Sequence, residues 1–106
     1  MKTRKFKSAL AALVLLLLAS CDGFILYEGT IYDAQTREPI DKVKCRLDIW
    51  GDYYECYPHS NSAGHYLVGE MVNWRESNDK HEVEFSKPGY KTQIILEPKD
   101  VYLEKE

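Results

Sequence analysis

The sequence predicts an all-β protein, an antiparallel sandwich of six to seven short strands preceded by one N-terminal helix. Three observations indicate this fold class. Runs of strand-forming residues recur at short intervals, several of them alternate apolar with polar residues, and clusters of Gly, Pro, Asn and Asp separate them. No stretch after residue 21 has the spacing of an amphipathic helix. Short strands joined by turns are typical of antiparallel sandwiches.

The N-terminal helix has the composition of an export signal. Basic residues within positions 2–7 precede an uncharged stretch that runs from Ser8 to Cys21. Its apolar core, residues 9–19, would be only about 16 Å long as a helix, whereas bilayer hydrocarbon is about 30 Å thick. A basic segment followed by a short apolar one is typical of signal peptides. We therefore expect residues 1–20 to be a signal helix and not a permanent membrane span.

The end of this segment, Leu18-Ala19-Ser20-Cys21, resembles the lipobox of bacterial lipoproteins. In that family the cysteine carries a diacylglycerol on sulfur and an acyl chain on nitrogen, and a peptidase cleaves before it. The resemblance implies these covalent lipids and no other cofactor, a lipidated tether at residues 21–26, and a domain at residues 27–106. Two or three acyl chains keep a protein in a bilayer. The alternative is a secreted protein in which Cys21 is a free or paired thiol.

The clearest strand signal in the first half of the domain is an alternation of apolar and polar residues. Val43, Cys45 and Leu47 alternate with charged residues, as in a strand with one buried face. Trp50-Gly51-Asp52 predicts a tight hairpin that leads into an aromatic-rich strand. The strands predicted in this half span residues 24–33, 43–49 and 53–59.

Turn residues divide the second half of the domain. The turns are predicted at residues 61–64, 87–89 and 98–100, where Gly, Pro, Asn or Asp recur. The strands between them span residues 66–72, 82–86 and 92–96, with a short seventh at 101–103. The polar stretch 73–80 is the only one long enough to be a flexible loop.

The charge balance restricts the partners. Cleavage before Cys21 would remove four of the 14 basic residues and none of the 17 acidic ones, which leaves 10 against 17 and a net charge of −7. Nucleic-acid binding depends on Lys and Arg at phosphates, so this balance argues against nucleic acid as a partner.

Two cysteines, Cys45 and Cys56, remain once Cys21 is assigned to lipid. In an oxidising compartment a pair eleven residues apart across a predicted hairpin favours a disulfide. Two buried thiols are the main alternative. A metal site is disfavoured, because His59 and His65 lie nearby without the spacing typical of metal ligands.

The turn residues resemble those of carboxypeptidase regulatory-like domains. Five segments, in the same order as in that family, carry the resemblance: 29–33 (GTIYD), 36–40 (TREPI), 43–47 (VKCRL), 60–66 (SNSAGHY) and 83–91 (VEFSKPGYK). The resemblance implies a seven-stranded prealbumin-like, Ig-like sandwich and a non-catalytic module. The sequence departs from the family pattern at Arg37, where glycine is preferred, at Lys42, and at Ala63, where an acidic residue is usual. The last departure argues against a bound cation at residues 60–64.

Catalytic interpretations find little support in the sequence. The transthyretin-like hydrolases of the same architecture end in Tyr-Arg-Gly-Ser, whereas residues 102–106 read YLEKE. His59, His65 and His81 lie in or beside predicted turns and are expected at the surface. Ser60 has a histidine neighbour in sequence but no third group to orient it. We therefore expect no enzymatic activity and no metal.

Five aromatic residues are the candidates for a binding surface. Trp50, Tyr53, Tyr54 and Tyr57 lie in the predicted hairpin, and Trp74 lies in the polar stretch after it. Aromatic side chains near loop tips stack on sugars or anchor protein interfaces. Strand alternation places at least some of the four hairpin residues in the core, so ordinary packing is the alternative.

These observations predict a membrane-anchored lipoprotein of the bacterial cell envelope that acts as a non-catalytic structural or protein-interaction module. Its partners would be the membrane, through the lipid on Cys21, and another envelope protein. The alternative is a small-ligand or carbohydrate-binding lipoprotein accessory to uptake. Either the periplasmic side of the inner membrane or the outer membrane fits, since Asp22 resembles an inner-membrane retention signal that only some bacterial groups use.

Overall fold

A computed structural model describes residues 23–51 and 56–106, and this part of the chain is mostly β, as predicted. The signal helix and Cys21 lie outside the described residues. The strands are β1 (Gly23–Asp33), β2 (Lys44–Leu47), β3 (His65–Val72), β4 (Glu82–Ser86), β5 (Gln93–Leu96) and β6 (Val101–Leu103). The helical elements are one 3₁₀ turn (Asp48–Trp50) and one short helix, α1 (Trp74–Asn78).

The six strands form two three-stranded sheets with the orders β3-β1-β6 and β2-β4-β5. β1 pairs antiparallel with β3, and β4 pairs antiparallel with both β2 and β5. β6, however, runs parallel to β1. The prediction of a wholly antiparallel fold is therefore wrong at this pair. β6 arrives from β5 in the other sheet, and such a crossover, unlike a tight hairpin, permits a parallel pairing.

The core lies between the two sheets, and both contribute inward-facing residues from alternate strand positions. The ring of Tyr66 on β3 meets the ring of Phe85 on β4 edge to face, with centroids 5.0 Å apart. This contact joins the two sheets directly. The buried apolar residues are Ile25, Ile31, Ile40, Val43, Cys45, Leu47, Tyr66, Val68, Val83, Phe85, Val101 and Leu103.

After β2 the chain forms a 3₁₀ turn, so the predicted strand 43–49 ends at Leu47, and the predicted hairpin at Trp50-Gly51-Asp52 continues into residues outside the described part. β2 ends at Leu47 because the next residue, Asp48, turns towards the start of β4, where its Oδ2 accepts a hydrogen bond from the Glu82 N–H at 2.9 Å. Of the predicted strand 53–59, residues 53–55 lie outside the described part. The remainder forms one isolated bridge between Lys44 and His59. Pro58 accepts a hydrogen bond from β2 but has no N–H to donate, so a regular ladder cannot form there.

The polar stretch 73–80 is not a loop throughout, since it contains α1. Asn73 caps this helix, its side-chain oxygen accepting a hydrogen bond from the Glu76 N–H at 2.9 Å. One turn of helix buries little and therefore leaves no periodic pattern in the sequence.

The first strand starts earlier than the predicted domain. Residues 23–26 belong to β1 and pair with residues 69–72 of β3, so they are not part of a tether. β1 consequently begins two residues after Cys21.

Candidate functional site: an apolar sheet face and an aromatic groove

The outer surface of the β1–β3 pair is apolar. Phe24, Leu26, Leu67 and Met71 project from it, and we call these four residues the apolar face. Phe24 pairs with Met71 across the two strands, and these side chains are 57% and 65% exposed. The outer surface of a two-layer antiparallel sheet is usually polar. A contiguous apolar surface at this position is typical of a contact site.

The apolar face follows from the run Phe24-Ile25-Leu26-Tyr27, which has no polar residue on either side of the strand. Ile25 is buried in the core, so its two neighbours necessarily project outwards. Sequence reasoning assigned this run to a strand but missed its exposed side. The signal was present, since only a strand covered on both faces is expected to be apolar at consecutive positions.

An open groove of about 510 Å³ lies beside the apolar face. Phe24, Leu67 and Met71 line it from the sheet, and Trp50 and Tyr57 line it from the segments on either side of residues 52–55. We call this feature the aromatic groove. Its volume is within the range of small-molecule sites, while its open shape also suits an inserted side chain of a partner protein.

Hydrogen bonds hold the two aromatic side chains of the groove. Trp50 Nε1 donates to Glu70 Oε2 on β3 at 2.9 Å. The Tyr57 hydroxyl donates to the Gly51 carbonyl oxygen at 2.7 Å. The two rings lie 6.3 Å apart between centroids, and the Lys44 ammonium lies 4.4 Å from the Tyr57 ring. Rings that are already fixed lose little conformational entropy on binding.

Of the three predicted aromatic residues that lie in the described part of the chain, the structure brings two together. Trp50 and Tyr57 share the groove, both half-buried. Tyr53 and Tyr54 lie outside the described residues. Trp74 is 53% exposed at the start of α1 and does not line the groove.

His81, expected at the surface, is buried and fastens α1 to the sandwich. Its Nδ1 lies 2.9 Å from Asp48 Oδ1, and its Nε2 lies 2.6 Å from the Glu76 carbonyl oxygen. Both neighbouring atoms are acceptors, so the doubly protonated ring satisfies both. Burial lowers the pKa of His81, but the hydrogen bonds to Glu76 and Asp48 raise it by more, and the net pKa lies above the ordinary value. His59 and His65 are exposed, as predicted.

The two cysteines of the domain are free thiols in the structure, so the predicted disulfide is absent. Cys45 faces the core on β2, whereas Cys56 is exposed beside the groove. Strand alternation is the reason, since the Cys45 side chain shares its direction with Leu47, which is also buried. Burial raises the pKa of the Cys45 thiol to about 12. Within the described residues, no three His, Cys, Asp or Glu side chains are grouped to hold a metal ion.

Ser60 and Asp33 are buried polar residues with structural roles. The Ser60 hydroxyl donates to the Ile40 carbonyl oxygen at 2.7 Å and accepts from the Val43 N–H at 2.9 Å. It is thus fully engaged with backbone and lacks the histidine contact that a nucleophile requires. The Asp33 carboxylate accepts hydrogen bonds from the N–H groups of Thr36 and Gln35 and from the Tyr90 hydroxyl. These bonds, the one from Thr36 above all, lower its pKa to about 2 against the opposing effect of burial.

Comparisons with known proteins identify no relative: no protein-family model matches the chain, and no curated protein matches its sequence. In residues 23–51 and 56–106, no helix has the length and apolar character needed to cross a membrane.

Proposed function

We propose that this chain is a membrane-anchored lipoprotein of the bacterial cell envelope and that its β-domain is a non-catalytic protein-interaction module. The observation that carries the interaction function is the aromatic groove, together with Leu26 and Leu67 of the apolar face beside it. The inner side of the same strand pair is packed in the core, whereas this surface is exposed. Exposed apolar patches beside fixed Trp and Tyr side chains are typical of protein interfaces.

The anchoring function rests on the residues before β1. The segment 18–21 has the lipobox pattern, and β1 begins at Gly23. Two residues span at most about 7 Å, so acyl chains on Cys21 would hold the sandwich directly at the membrane surface. A partner that reaches the aromatic groove is therefore itself a protein of the envelope.

The domain type we propose is the carboxypeptidase regulatory-like, prealbumin-like sandwich. Its turn geometry supports this assignment at a position where the sequence departs from the family. Arg37 has φ of 65°, the left-handed conformation that glycine adopts most readily, and glycine is the family's preference there. The Asp33 carboxylate stabilises the same turn by accepting hydrogen bonds from the N–H groups of Gln35 and Thr36.

Anchoring is tested by replacing the modified sulfur. Cys21→Ser is expected to move the protein from the membrane fraction to the soluble envelope fraction. Intact-mass spectrometry of the unaltered protein should show residues 21–106 plus the acyl groups. Membrane association that survives the substitution, together with an unmodified mass, would contradict the anchoring proposal.

The interaction function is tested by charge substitution with a matched control. Leu67 on the apolar face and Leu96 on β5 of the other sheet are both strand leucines that are 50% exposed. After crosslinking of intact envelopes, Leu67→Asp is expected to remove the crosslinked species that the unaltered protein forms, and Leu96→Asp is expected to retain them. Equal crosslinking by both variants would refute the assignment of the interface to the apolar face.

A small-ligand or carbohydrate-binding function is the second candidate, and the volume of the aromatic groove favours it. Sugar rings stack on aromatic faces, and Trp50 provides an intrinsic optical probe in the groove. Titration with mono- and oligosaccharides should then change tryptophan fluorescence in the unaltered protein but not in Trp50→Phe. An unchanged fluorescence spectrum across such a series of sugars would refute the ligand-binding function and leave the protein-interaction function.

A further inference from the structure

The chain enters the domain at one end of the β1–β3 pair, and three exposed apolar residues, two on these strands and one on α1, lie at that end. Gly23 pairs with Val72, and Phe24 pairs with Met71 one position further along. α1 follows β3 immediately and begins with Trp74. We call Phe24, Met71 and Trp74 the apolar tip.

α1 is held against the start of β1, so the position of Trp74 beside the chain entrance is built into the fold. A Cβ atom on Gly23 would clash with the Ser77 side chain and would lie 2.7 Å from the Asn73 carbonyl oxygen. Glycine at position 23 thus permits the close approach of the helix to the strand. The His81 contact with the Glu76 carbonyl fixes the other end of α1.

We infer that the apolar tip rests in the lipid interface, so that the bilayer surface covers it and sets the orientation of the domain. The inference depends on the proposed lipidation of Cys21. The short distance from Cys21 to the tip supports the inference, because the three residues from Cys21 to Phe24 span at most about 11 Å. Acyl chains that enter the bilayer therefore bring the tip to the headgroup region, which is itself roughly 5–10 Å deep.

The side chains of the tip suit a shallow interfacial contact. Tryptophan concentrates at the membrane–water interface, and Phe and Met supply apolar surface. The Arg75 guanidinium lies 5.7 Å from the Trp74 ring, where it can meet a phosphate headgroup. The Glu70 carboxylate on the neighbouring strand is turned towards Trp50 Nε1 instead. The aromatic groove is also lined by Trp50, Tyr57 and Leu67, which are not part of the tip and stay accessible to a partner.

The test measures quenching of tryptophan fluorescence by bromine in the bilayer. The lipidated protein carrying Trp50→Phe, so that Trp74 is the single tryptophan, is reconstituted into phosphatidylcholine–phosphatidylglycerol vesicles with or without acyl-chain bromination. The control carries Trp50→Phe, Trp74→Phe and Ile94→Trp, with its probe at a 61% exposed position on β5 of the other sheet. We expect brominated lipid to quench Trp74 at least twofold more than the control probe. Equal quenching of the two probes would overturn the inference.

A second comparison leaves Trp50 unchanged. Quenching in the protein with both tryptophans should fall when Trp74→Phe is introduced, and also when Phe24→Ser and Met71→Ser together release the tip from the interface. Ile94→Ser is the matched exposed control and should have no effect. Quenching that none of these variants reduces would place the tip away from lipid.

Vesicle flotation, measured in parallel, separates this inference from the proposed function. Protein that floats with vesicles and carries acyl mass, but whose Trp74 is not quenched, retains the anchoring proposal and overturns only the tip contact. Protein that neither floats nor carries acyl mass overturns both. If neither brominated lipid nor aqueous acrylamide quenches Trp74, and a dimer is recovered by crosslinking, then a second copy of the chain covers the tip and the inference is overturned.

Discussion

Ser60→Ala is expected to be among the most destabilising single-atom deletions in the domain. Ser60 connects the chain after the 33–40 turn to β2 through its side chain and its backbone. Its hydroxyl donates to the Ile40 carbonyl oxygen and accepts from the Val43 N–H, and its N–H donates to the Val43 carbonyl oxygen at 3.0 Å. Ile40, Val43 and Ser60 are all buried. Water therefore cannot readily replace the lost hydroxyl.

The magnitude follows from the two backbone groups that lose their partner. A buried donor or acceptor left unsatisfied costs about 1–3 kcal/mol, so the Val43 N–H and the Ile40 carbonyl together should lower the free energy of unfolding by about 2–6 kcal/mol. For a domain of this size, each kcal/mol lowers Tm by about 4–8 °C. The expected decrease in Tm is therefore about 8 °C or more.

Urea unfolding followed by tryptophan fluorescence measures this change, with thermal unfolding as a second probe. Ser62→Ala is the matched control, because Ser62 is exposed in the turn that follows. It should change stability by no more than about 0.5 kcal/mol. A Ser60→Ala protein that unfolds at the same urea concentration as Ser62→Ala would refute the reasoning.

Three further predictions concern His81, one close backbone contact and the cysteines. Because the pKa of His81 is raised in the folded protein, its bound proton stabilises the fold fully at pH values below the ordinary pKa of 6.5. This stabilisation is lost as the pH rises through the raised pKa. His81→Gln should therefore flatten the pH dependence of stability measured by urea unfolding. Gly29→Ala should lower the free energy of unfolding by about 1–3 kcal/mol in thermal melts, because a Cβ would clash with the Lys99 carbonyl. In the folded protein, a thiol reagent should alkylate Cys56 and leave Cys45 unmodified until urea is added, as read by mass spectrometry.

Each of these predictions has a control. Gly69→Ala should be close to neutral, since no atom lies closer to its Cβ than the Phe24 side chain at 3.4 Å, which is ordinary contact distance. A melt of Gly29→Ala that matches it would contradict the steric argument. Stability that does not decline towards high pH in the unaltered protein would contradict the protonated state of His81. Failure of both Cys45 and Cys56 to react without reductant would restore the disulfide.

Local patterns in the sequence determined where most strands and turns lie. Val83 and Phe85 alternate with polar residues, and both are buried in β4, because a two-residue repeat can satisfy one buried face only as a strand. The turn at residues 61–64 was likewise evident from its residue types, since the Asn61 side chain accepts hydrogen bonds from the N–H groups of Ala63 and His65. These features depend on neighbours in sequence.

Tertiary contacts decided the features that carry the candidate site. Asp48 ends β2 because it accepts a hydrogen bond from the Glu82 N–H at the start of β4, and His81 is buried because it contacts both Asp48 and α1. Cys45 and Cys56 lie in different environments, because Cys45 faces the core and Cys56 faces solvent.

The apolar run at the start of β1 shows the same division. The composition of this run predicts a strand. When both sides of a strand are apolar, however, the sequence does not indicate which side the second sheet will cover. Only the arrangement of the two sheets buries Ile25 and leaves Phe24 exposed. The physical reason is that apolar burial has no direction of its own: it depends on which surfaces the whole chain brings together.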